Sequence, residues 1–330
     1  MKRYNVALVG ASGAVGAQII ALLEEWDFPL ARFVPLASQR SAGMPLDAFG
    51  RTHHILETTH EVFEGIDIAF FSAGGKVSAE FAPSAAQAGA LVVDNTSYFR
   101  LEKDVPLVVP EVNPGDLQIC PRNIIANPNC STIQMVQILN PLHQVLEITR
   151  VDVSTYQAVS GAGNRGMAEL RAQMQGDLTC AIFPHPIALN VIPHIDAFLP
   201  SGYTKEEMKM VQETHKIMHA EFPISATCVR VPVLRSHSES LSVHFARPTS
   251  AQEVREILQS APSVVVQDDP QKALYPMPIL ASHTDQSFVG RIRCDLFDPK
   301  IVHLWCVADQ LRVGAATNAL RIAVAYLQTH

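Results

Sequence analysis

A cysteine before an apolar run is the residue best placed to do chemistry. Cys130 follows the loop-forming residues Pro128 and Asn129 and precedes the apolar stretch 133–139. That stretch has the length and spacing of a helix, so we expect Cys130 at a helix N-terminus. The helix dipole and the unpaired amide N–H groups there favour an anion and push a thiol toward the nucleophilic thiolate. The alternative interpretation is a small buried core residue.

A glycine-rich segment lies between the first predicted strand, 4–9, and the first predicted helix, 14–25. Its spacing is G-x-x-G-x-x-G, from Gly10 through Gly13 to Gly16. Such glycines permit a tight turn and let the backbone approach a pyrophosphate, which the amides of a helix start can bind. The segment predicts a dinucleotide site, with a structural turn as the alternative. The expected cofactor contacts in it are Gly10, Ser12, Gly13, Ala14 and Val15.

The residues after the second predicted strand indicate which dinucleotide binds. An NAD site usually carries Asp or Glu there to hold the ribose hydroxyls. No acid lies between Ala31 and Leu46. Arg40, with the hydroxyls of Ser38 and Ser41, suits the 2′-phosphate of NADP, and a solvated loop arginine is the alternative. NADP is therefore the predicted cofactor.

Two sequence patterns predict the elements that position these residues. Over the first 129 residues strands and helices alternate, which favours a parallel sheet with helices on both faces. The strands are predicted at 4–9, 33–36, 66–71, 90–93, 107–109 and 124–126, and the helices at 14–25 and 78–88. From Arg150 the pattern favours a mixed α+β domain with one large sheet. Its strands are predicted at 151–158, 225–233, 240–246, 263–267 and 301–307, and its helices at 205–220 and 251–259. A last helix at 314–327 could close back on the first domain.

Composition excludes several classes of protein. A chain of 330 residues is long for one core, so two domains are expected. The formal charge of −7 argues against nucleic-acid or anionic-membrane partners. No signal peptide is expected, and no apolar stretch approaches the roughly 18 residues of a membrane span.

The spacing of the cysteines and histidines indicates the redox environment of the protein and whether it binds a metal ion. The six cysteines include no C-x-x-C pair, which argues against a disulfide framework or a cysteine-based zinc site and suits a reducing cytoplasm. His215 and His219 share i, i+4 spacing but lack a third ligand. We therefore predict no metal site.

Several separated motifs occur together in this chain. They are GASGAVGAQ, VDNTSYFR, VVPEVN, NPNCSTIQM, STYQAVSGAG, EEMKM, SATCVRVPVLRSHSES, FVGRIRCD and GAATN. In this order the sequence resembles the bacterial type of aspartate-semialdehyde dehydrogenase over essentially its whole length. The resemblance implies an α/β plus α+β fold, with a Rossmann-like NADP-binding domain at 1–129 and a C-terminal helix at about 311–330. It also implies a glyceraldehyde-3-phosphate-dehydrogenase-like mixed-sheet catalytic and dimerisation domain at 130–310, in a cytoplasmic homodimer.

The resemblance also implies a reaction. L-Aspartyl-4-phosphate and NADPH would give L-aspartate 4-semialdehyde and phosphate, reversibly, in lysine (diaminopimelate), threonine and methionine biosynthesis. Cys130 would displace phosphate to form a thioester, which hydride reduces to a thiohemiacetal. His237 would be the general acid/base, a role that suits an imidazole near neutral pH. By itself His237 would be an ordinary histidine at a strand end.

The remaining roles carried over concern binding. Arg230 would clamp the α-carboxylate with its planar fork, and Glu206 would meet the ammonium group. Lys209 and Arg100 would hold the phosphate; the alternatives are a Glu206–Lys209 surface ion pair and a loop charge at Arg100. The other implied contacts are Gln157 for orientation, Asn129 as a donor, and Ser160, Gly161 and Gln310 at the nicotinamide end.

Two departures from the family pattern and two competing functions remain. Asn127 stands where members often have cysteine, and the segment 163–189 looks compact beside members that insert a helical subdomain used in dimer contacts. One competitor is a sister reductase acting on N-acetyl-glutamyl phosphate or a triose phosphate. The other is a non-catalytic nucleotide-binding paralogue. The helix face of Glu206 and Lys209 favours aspartyl chemistry over the first, and the retained Cys130 and His237 argue against the second.

Overall fold

Short apolar runs separated by turns build a six-stranded parallel sheet in the first part of the chain. Its strand order is β5-β2-β1-β6-β7-β8, and every pairing is parallel. The computed structural model describes residues 2–329, so Met1 and His330, the outer limits of the predicted first domain, lie outside the described residues. The strands are β1 (Tyr4–Val9), β2 (Leu30–Ala37), β5 (Leu56–Glu57), β6 (Ile68–Phe71), β7 (Leu91–Asp94) and β8 (Ile124–Ala126), and a separate hairpin pairs β3 (Pro45–Ala48) with β4 (Arg51–His54).

The helices of this first part cover the apolar strand residues. Side chains of α1 and α8 share one buried cluster with the strands, including Leu23, Ile68, Val93 and Leu320, and α2 contacts β6, β7 and β8. Burial of such side chains is the main source of folding free energy. The helices are α1 (Ala14–Glu25), α2 (Gly75–Gln87) and α8 (Asn318–Thr329). The predicted parallel sheet is confirmed.

The middle of the chain forms a second six-stranded sheet, with order β10-β9-β11-β14-β13-β12. Its outer pairs are parallel and its inner pairs antiparallel, so the predicted mixed sheet is confirmed. The strands are β9 (Ile148–Gln157), β10 (Ile224–Arg230), β11 (His237–Phe245), β12 (Val264–Val266), β13 (Ser287–Cys294) and β14 (Ile301–Ala308). The helices are α3 (Cys130–Leu146), α4 (Gly163–Met174), α5 (Lys205–Met218), α6 (Ala251–Gln259) and α7 (Pro278–Ala281).

Contacts divide the chain into two units. The first comprises the described parts of Met1–Pro128 and Ala315–His330, and the second is Asn129–Gly314. Each unit contains one of the two six-stranded sheets.

The strand predicted at 107–109 is wrong. Only Leu107 bridges a strand residue, Ala126. Backbone and side-chain groups outside the run bind its other polar atoms. The Val108 N–H donates to the carbonyl of Ala126 (3.2 Å). Asn113 accepts from the N–H of Val109 and donates to the carbonyl of Leu107, and Asn318 donates to the carbonyl of Val108. Because these groups are already bonded, the apolar run does not need a neighbouring strand.

Within residues 2–329, none of the helices combines the length and apolar character that crossing a bilayer requires. The same residues contain no group of three histidine, cysteine or acidic side chains arranged to hold a metal ion.

Candidate active site

Cys130 is the first residue of α3, as the sequence predicts. Asn129 caps this helix: its side-chain oxygen accepts from the N–H groups of Ser131 (3.0 Å) and Thr132 (3.3 Å). The cap fixes the first turn, so the thiol sits at the positive end of a 17-residue helix dipole. The thiol is partly exposed, and no disulfide joins any of the six cysteines. The position suits a nucleophile.

Glu206 gathers three of the predicted site residues around its buried carboxylate. Its Oε1 accepts from Nδ2 of Asn129 (2.9 Å) and from Nε2 of Gln157 (3.3 Å). Its Oε2 accepts from Nζ of Lys209 (3.0 Å), which also bonds Asp196 (2.8 Å). The i, i+3 pair on α5 therefore shares one helix face as predicted, and Glu206 itself is buried.

The charges around Glu206 offset the effect of its burial. Burial by itself raises the pKa of a carboxyl, but the charge of Lys209, the hydrogen bonds from Asn129 and Lys209, and the charge of Arg230 together hold the pKa of Glu206 below its ordinary value. For Lys209, burial lowers the pKa, but Glu206 and Asp196 raise it above its ordinary value overall. Both groups are thus ionised near neutral pH, and the site carries a fixed pair of opposite charges.

Arg230 and His237 are oriented by the backbone of a single residue, Ala158. The Ala158 carbonyl accepts from Nη1 of Arg230 (2.7 Å), and the Ala158 N–H donates to Nδ1 of His237 (3.0 Å). Arg230 ends β10 and His237 begins β11. Gly161 lies against both: a β-carbon there would be 2.8 Å from Nη1 of Arg230 and 3.4 Å from Nε2 of His237. The structure thus brings these three predicted residues together.

His237 is held as a neutral imidazole. Its side chain has no exposed surface. Burial is the main reason that the pKa of His237 lies well below the ordinary 6.5, and the nearby charge of Arg230 lowers the pKa further. Because Nδ1 accepts a hydrogen bond, the single proton of the neutral ring resides on Nε2. Within the described residues Nε2 has no hydrogen-bond partner. It is therefore a donor available to a bound group.

Arg230 keeps most of its hydrogen-bonding capacity. Burial lowers its pKa, while Glu206 and Cys130 act in the opposite direction. An arginine nevertheless remains charged at any physiological pH. Within residues 2–329 its guanidinium donates from Nη1 to the carbonyl of Ala158, which leaves further donors of the planar fork for an anionic ligand.

A chain of hydrogen bonds joins Ser160 and Gln310 to Ser236, the residue before His237. Gln310 donates to the hydroxyl of Ser160 and accepts from the N–H of Ser236 (2.7 Å). Ser236 has a φ of +72°, a left-handed conformation that is uncommon for serine. Gln310 thus helps to hold the strained residue that precedes His237.

The first unit contains a cavity of about 460 Å³ at the glycine-rich segment. Gly10 has a φ of +95°, and a β-carbon there would lie 2.9 Å from the backbone of Ser72. A β-carbon at Gly16 would overlap the carbonyl oxygen of Gly10. Only glycine fits this turn, which opens directly into α1. The predicted contacts that line the cavity are Gly10, Ser12, Gly13, Ser38, Arg40 and Ser41.

The remaining predicted contacts of the first unit lie in the surrounding structure. Ala14 and Val15 form the first turn of α1 and do not line the cavity. Arg100 is buried, and its guanidinium donates to the carbonyls of Asn127 (2.9 Å) and Asn95 (2.8 Å). A larger cavity of about 820 Å³, lined by residues such as Leu23 and Phe28, contains none of the predicted site residues.

Two features were missed by sequence reasoning. Glu57 lines the cavity at the glycine-rich segment from β5, a strand of only two residues that has no recognisable pattern. Ala158 acts through its backbone, which no side-chain motif can signal. Glu57 deserves notice because an acid in this place can bind ribose hydroxyls.

Comparison with known proteins shows the family. A family model described as semialdehyde dehydrogenase, NAD binding domain, matches residues 5–119, and one described as semialdehyde dehydrogenase, dimerisation domain, matches residues 139–313. Aspartate-semialdehyde dehydrogenase of Helicobacter pylori is 62% identical, with 99% of each chain covered. The chain belongs to the aspartate-semialdehyde dehydrogenase family. It is an oxidoreductase of amino-acid biosynthesis.

Further relatives agree with this family assignment. Aspartate-semialdehyde dehydrogenase of Campylobacter jejuni is 54% identical over 99% of this chain and 98% of its own. The solved structure of aspartate semialdehyde dehydrogenase II complexed with ASA from Vibrio cholerae has a TM-score of 0.96 at 43% identity, covering 99% of both chains. The fold predicted from the resemblance to this family is confirmed.

Proposed function

We propose that the enzyme reduces L-aspartyl-4-phosphate to L-aspartate 4-semialdehyde, reversibly and with NADPH, through a thioester on Cys130. The observation that carries this proposal is the second unit's arrangement of a helix-start thiol with a guanidinium, a carboxylate and an imidazole N–H. Those groups match an amino acid with a reactive carbonyl: Arg230 for the α-carboxylate and Glu206 for the ammonium. The relative from Vibrio cholerae, solved with ASA, supports the substrate class.

The reaction begins at the thiol. The Cys130 thiolate attacks the acyl carbon, the C–O bond to phosphate breaks, and phosphate leaves with the electron pair. Lys209 supports this step as a cation close to the site, and Arg100 stays a prediction from the resemblance for the same group. Gln157 and Asn129, both bonded to Glu206, hold the carboxylate that orients the substrate.

His237 acts on the oxygen of the acyl group. NADPH, when bound, supplies the hydride that converts the thioester into a thiohemiacetal oxyanion. The Nε2–H of His237 donates a hydrogen bond to that oxygen as its negative charge develops. When the C–S bond breaks, the carbonyl re-forms, the sulfur leaves as thiolate and the proton remains on Nε2. A neutral donor suffices in this direction, which refines the general acid/base role.

The first unit would hold the dinucleotide. The turn at Gly10 admits a close backbone approach, and Arg40 with Ser38 and Ser41 supplies a cation and hydroxyls for a 2′-phosphate. Glu57 in the same cavity is the feature that would favour NAD instead. Ser160, Gly161 and Gln310 remain predicted contacts of the nicotinamide end. We assign residues 1–129 and 311–330 to NADP binding and residues 130–310 to catalysis and homodimer formation.

The wider assignments belong to the same proposal. The product would enter lysine, threonine and methionine biosynthesis, and the enzyme would work in the reducing cytoplasm that its six cysteines suit.

Coenzyme preference tests the function together with the cofactor. Phosphate-dependent oxidation of aspartate semialdehyde should proceed with NADP, and Arg40→Glu should shift the ratio of kcat/KM for NADP over NAD toward NAD by about 10-fold or more, because an Arg–phosphate contact is replaced by repulsion. The control is Arg32→Glu, which adds the same charge change on an exposed part of β2 outside the cavity. An equal shift in both variants would count against the 2′-phosphate role, and turnover only with acetylglutamyl semialdehyde would contradict the substrate.

A further inference from the structure

The proposed chemistry uses Arg230 but leaves unexplained the aromatic ring that covers it. The ring of Phe183 lies with its centroid 5.9 Å from Cζ of Arg230. Phe183 is 8% exposed and Arg230 is 6% exposed. A guanidinium at this distance from an aromatic ring is attracted to it, and the attraction grows when water is excluded. The ring therefore both favours and orients the cation.

The backbone that carries Phe183 is held by one buried carboxylate. Glu169 of α4 accepts hydrogen bonds from the N–H groups of Ala181 (3.0 Å), Ile182 (2.6 Å) and Phe183 (3.2 Å). Three donors converging on one carboxylate fix three successive residues of a segment that has no regular secondary structure. Glu169 thus determines where the ring of Phe183 lies.

The segment that carries Phe183 also contacts Arg230 through a small apolar cluster and through backbone hydrogen bonds. Phe183 packs with Val159, Leu170 and Ile192 in one buried cluster. The backbone of Ile192 then exchanges both hydrogen bonds with that of Arg230, at 2.9 and 2.8 Å. The segment 177–192, which is packed on α4, thus covers the guanidinium of Arg230 with the ring of Phe183 and pairs with the backbone of Arg230 through Ile192.

Gly166 leaves room for the ring. A β-carbon at Gly166 would lie 3.2 Å from Cζ of Phe183 and 2.6 Å from the carbonyl oxygen of Val159. The absence of a side chain on this turn of α4 lets the ring reach the guanidinium. Glu169 and Gly166, both in α4, thus place the ring of Phe183 against Arg230.

We propose that Phe183 and Glu169 are positioning residues for substrate recognition, with Glu169 fixing the loop so that Phe183 holds the Arg230 guanidinium in the orientation that binds a carboxylate. This rests on the proposed function, in which Arg230 binds the substrate α-carboxylate. Within residues 2–329 the guanidinium of Arg230 donates to the protein from Nη1, so the ring supplies the orientation that further side-chain hydrogen bonds would otherwise give.

Substitutions that separate ring chemistry from ring volume test the proposal. Phe183→Leu should raise the KM for aspartate semialdehyde by about 10-fold with kcat within about threefold, because orientation of a binding group is lost and the reacting groups are intact. Phe183→Met fills a similar volume without an aromatic face and should raise KM in the same way as Phe183→Leu. Glu169→Gln, which leaves the apolar core unchanged, should raise KM in the same way.

The matched control is Phe222→Leu, a buried phenylalanine of the same unit that packs against His143 and His215. Its KM should not change. If Phe183→Leu and Glu169→Gln both fold and keep the wild-type KM, or if Phe183→Met restores the wild-type KM, the positioning role is overturned. Arg230→Lys separates the carboxylate role of Arg230 from the positioning role of Phe183 and Glu169. An unchanged KM in Arg230→Lys would overturn the carboxylate role itself. A raised KM in Arg230→Lys together with an unchanged KM in the Phe183 variants would overturn only the positioning role.

Discussion

Ala158 shows how much of this site depends on groups that a sequence does not display. Its carbonyl and its N–H hold Arg230 and His237 respectively, so the cation and the imidazole share one rigid support. The side chain of Ala158 is buried and plays no chemical part. Main-chain groups on a strand end are less mobile than side chains, which suits a site whose two polar residues must keep a fixed separation.

The protonation state of His237 follows from the same contact. An imidazolium would present an N–H to the Ala158 N–H and lose that bond, and burial and Arg230 oppose the charge as well. Proton uptake is therefore displaced below the ordinary value of 6.5. We expect nitrogen chemical shifts of labelled enzyme to show His237 protonated on Nε2 alone, unchanged from about pH 7.5 to about pH 6. A His237→Asn variant assigns the signal. A cationic ring at neutral pH, or a proton on Nδ1, would contradict the assignment.

Asn127 has a structural role within the first unit. Its side-chain oxygen accepts from Nδ2 of Asn318 (2.7 Å), the first residue of α8. Both side chains are buried. A thiol is a weaker acceptor than an amide oxygen, so the asparagine strengthens the attachment of the C-terminal helix.

At the scale of elements, the start of α3 is held by its cap and by a close contact between Cys130 and Gly314. Residues Arg312–Thr317 form a π-helical turn. A β-carbon at Gly314 would lie 2.7 Å from Cβ of Cys130 and 3.0 Å from its Cα. Glycine at this position therefore allows the backbone of residue 314 to pack directly on Cys130.

Gly314→Ala should displace Cys130 and lower kcat by about 100-fold, since small displacements of a reacting group are costly. The backbone on the other side of the contact cannot move as a flexible side chain would. Gly115→Ala is the control, because a β-carbon there meets nothing within 4 Å. Steady-state kinetics and circular dichroism of both variants measure the effect. Equal activity of the two enzymes would show that the close contact does not matter.

The elements with strong periodic patterns were predictable, and those set by distant side chains were not. β1, α1 and β8 occur where the apolar patterns place them. The run from Leu107 looks like a strand, but amides of Asn113 and Asn318 bind its backbone, and residue 318 lies far along the chain. The helix α4 is not predicted because it begins at Gly163 in a glycine-rich sequence and its N-cap, Ala162, has no side chain that could cap a helix.

In the site, residue types and spacing indicated the groups but not their partners. The i, i+3 spacing predicted that Glu206 and Lys209 share a face, and they do. Nothing in that spacing indicated that Asn129, 77 positions away, also bonds Glu206. Likewise the absence of an acid after β2 favoured NADP, while Glu57 entered the cavity from another strand. Such contacts depend on the tertiary fold and lie outside the reach of local patterns.

At the scale of the whole molecule, each unit contains a different part of the proposed chemistry. The first contains the glycine-rich turn and its cavity, and the second contains the thiol, the guanidinium and the imidazole. The family models divide the chain in the same sense, into an NAD binding domain and a dimerisation domain. On the proposed function, substrate discrimination can be altered in the second unit without changing the residues that line the cavity of the first.

The most direct test of the account is a rapid-mixing experiment on the intact enzyme with aspartate semialdehyde and NADP but no phosphate. We expect a burst of about one NADPH per active subunit and an acyl group on the Cys130 peptide by mass spectrometry, with steady turnover after phosphate is added. Cys130→Ser should fold normally and show neither the burst nor turnover. Full phosphate-dependent activity in Cys130→Ala would contradict the thioester mechanism.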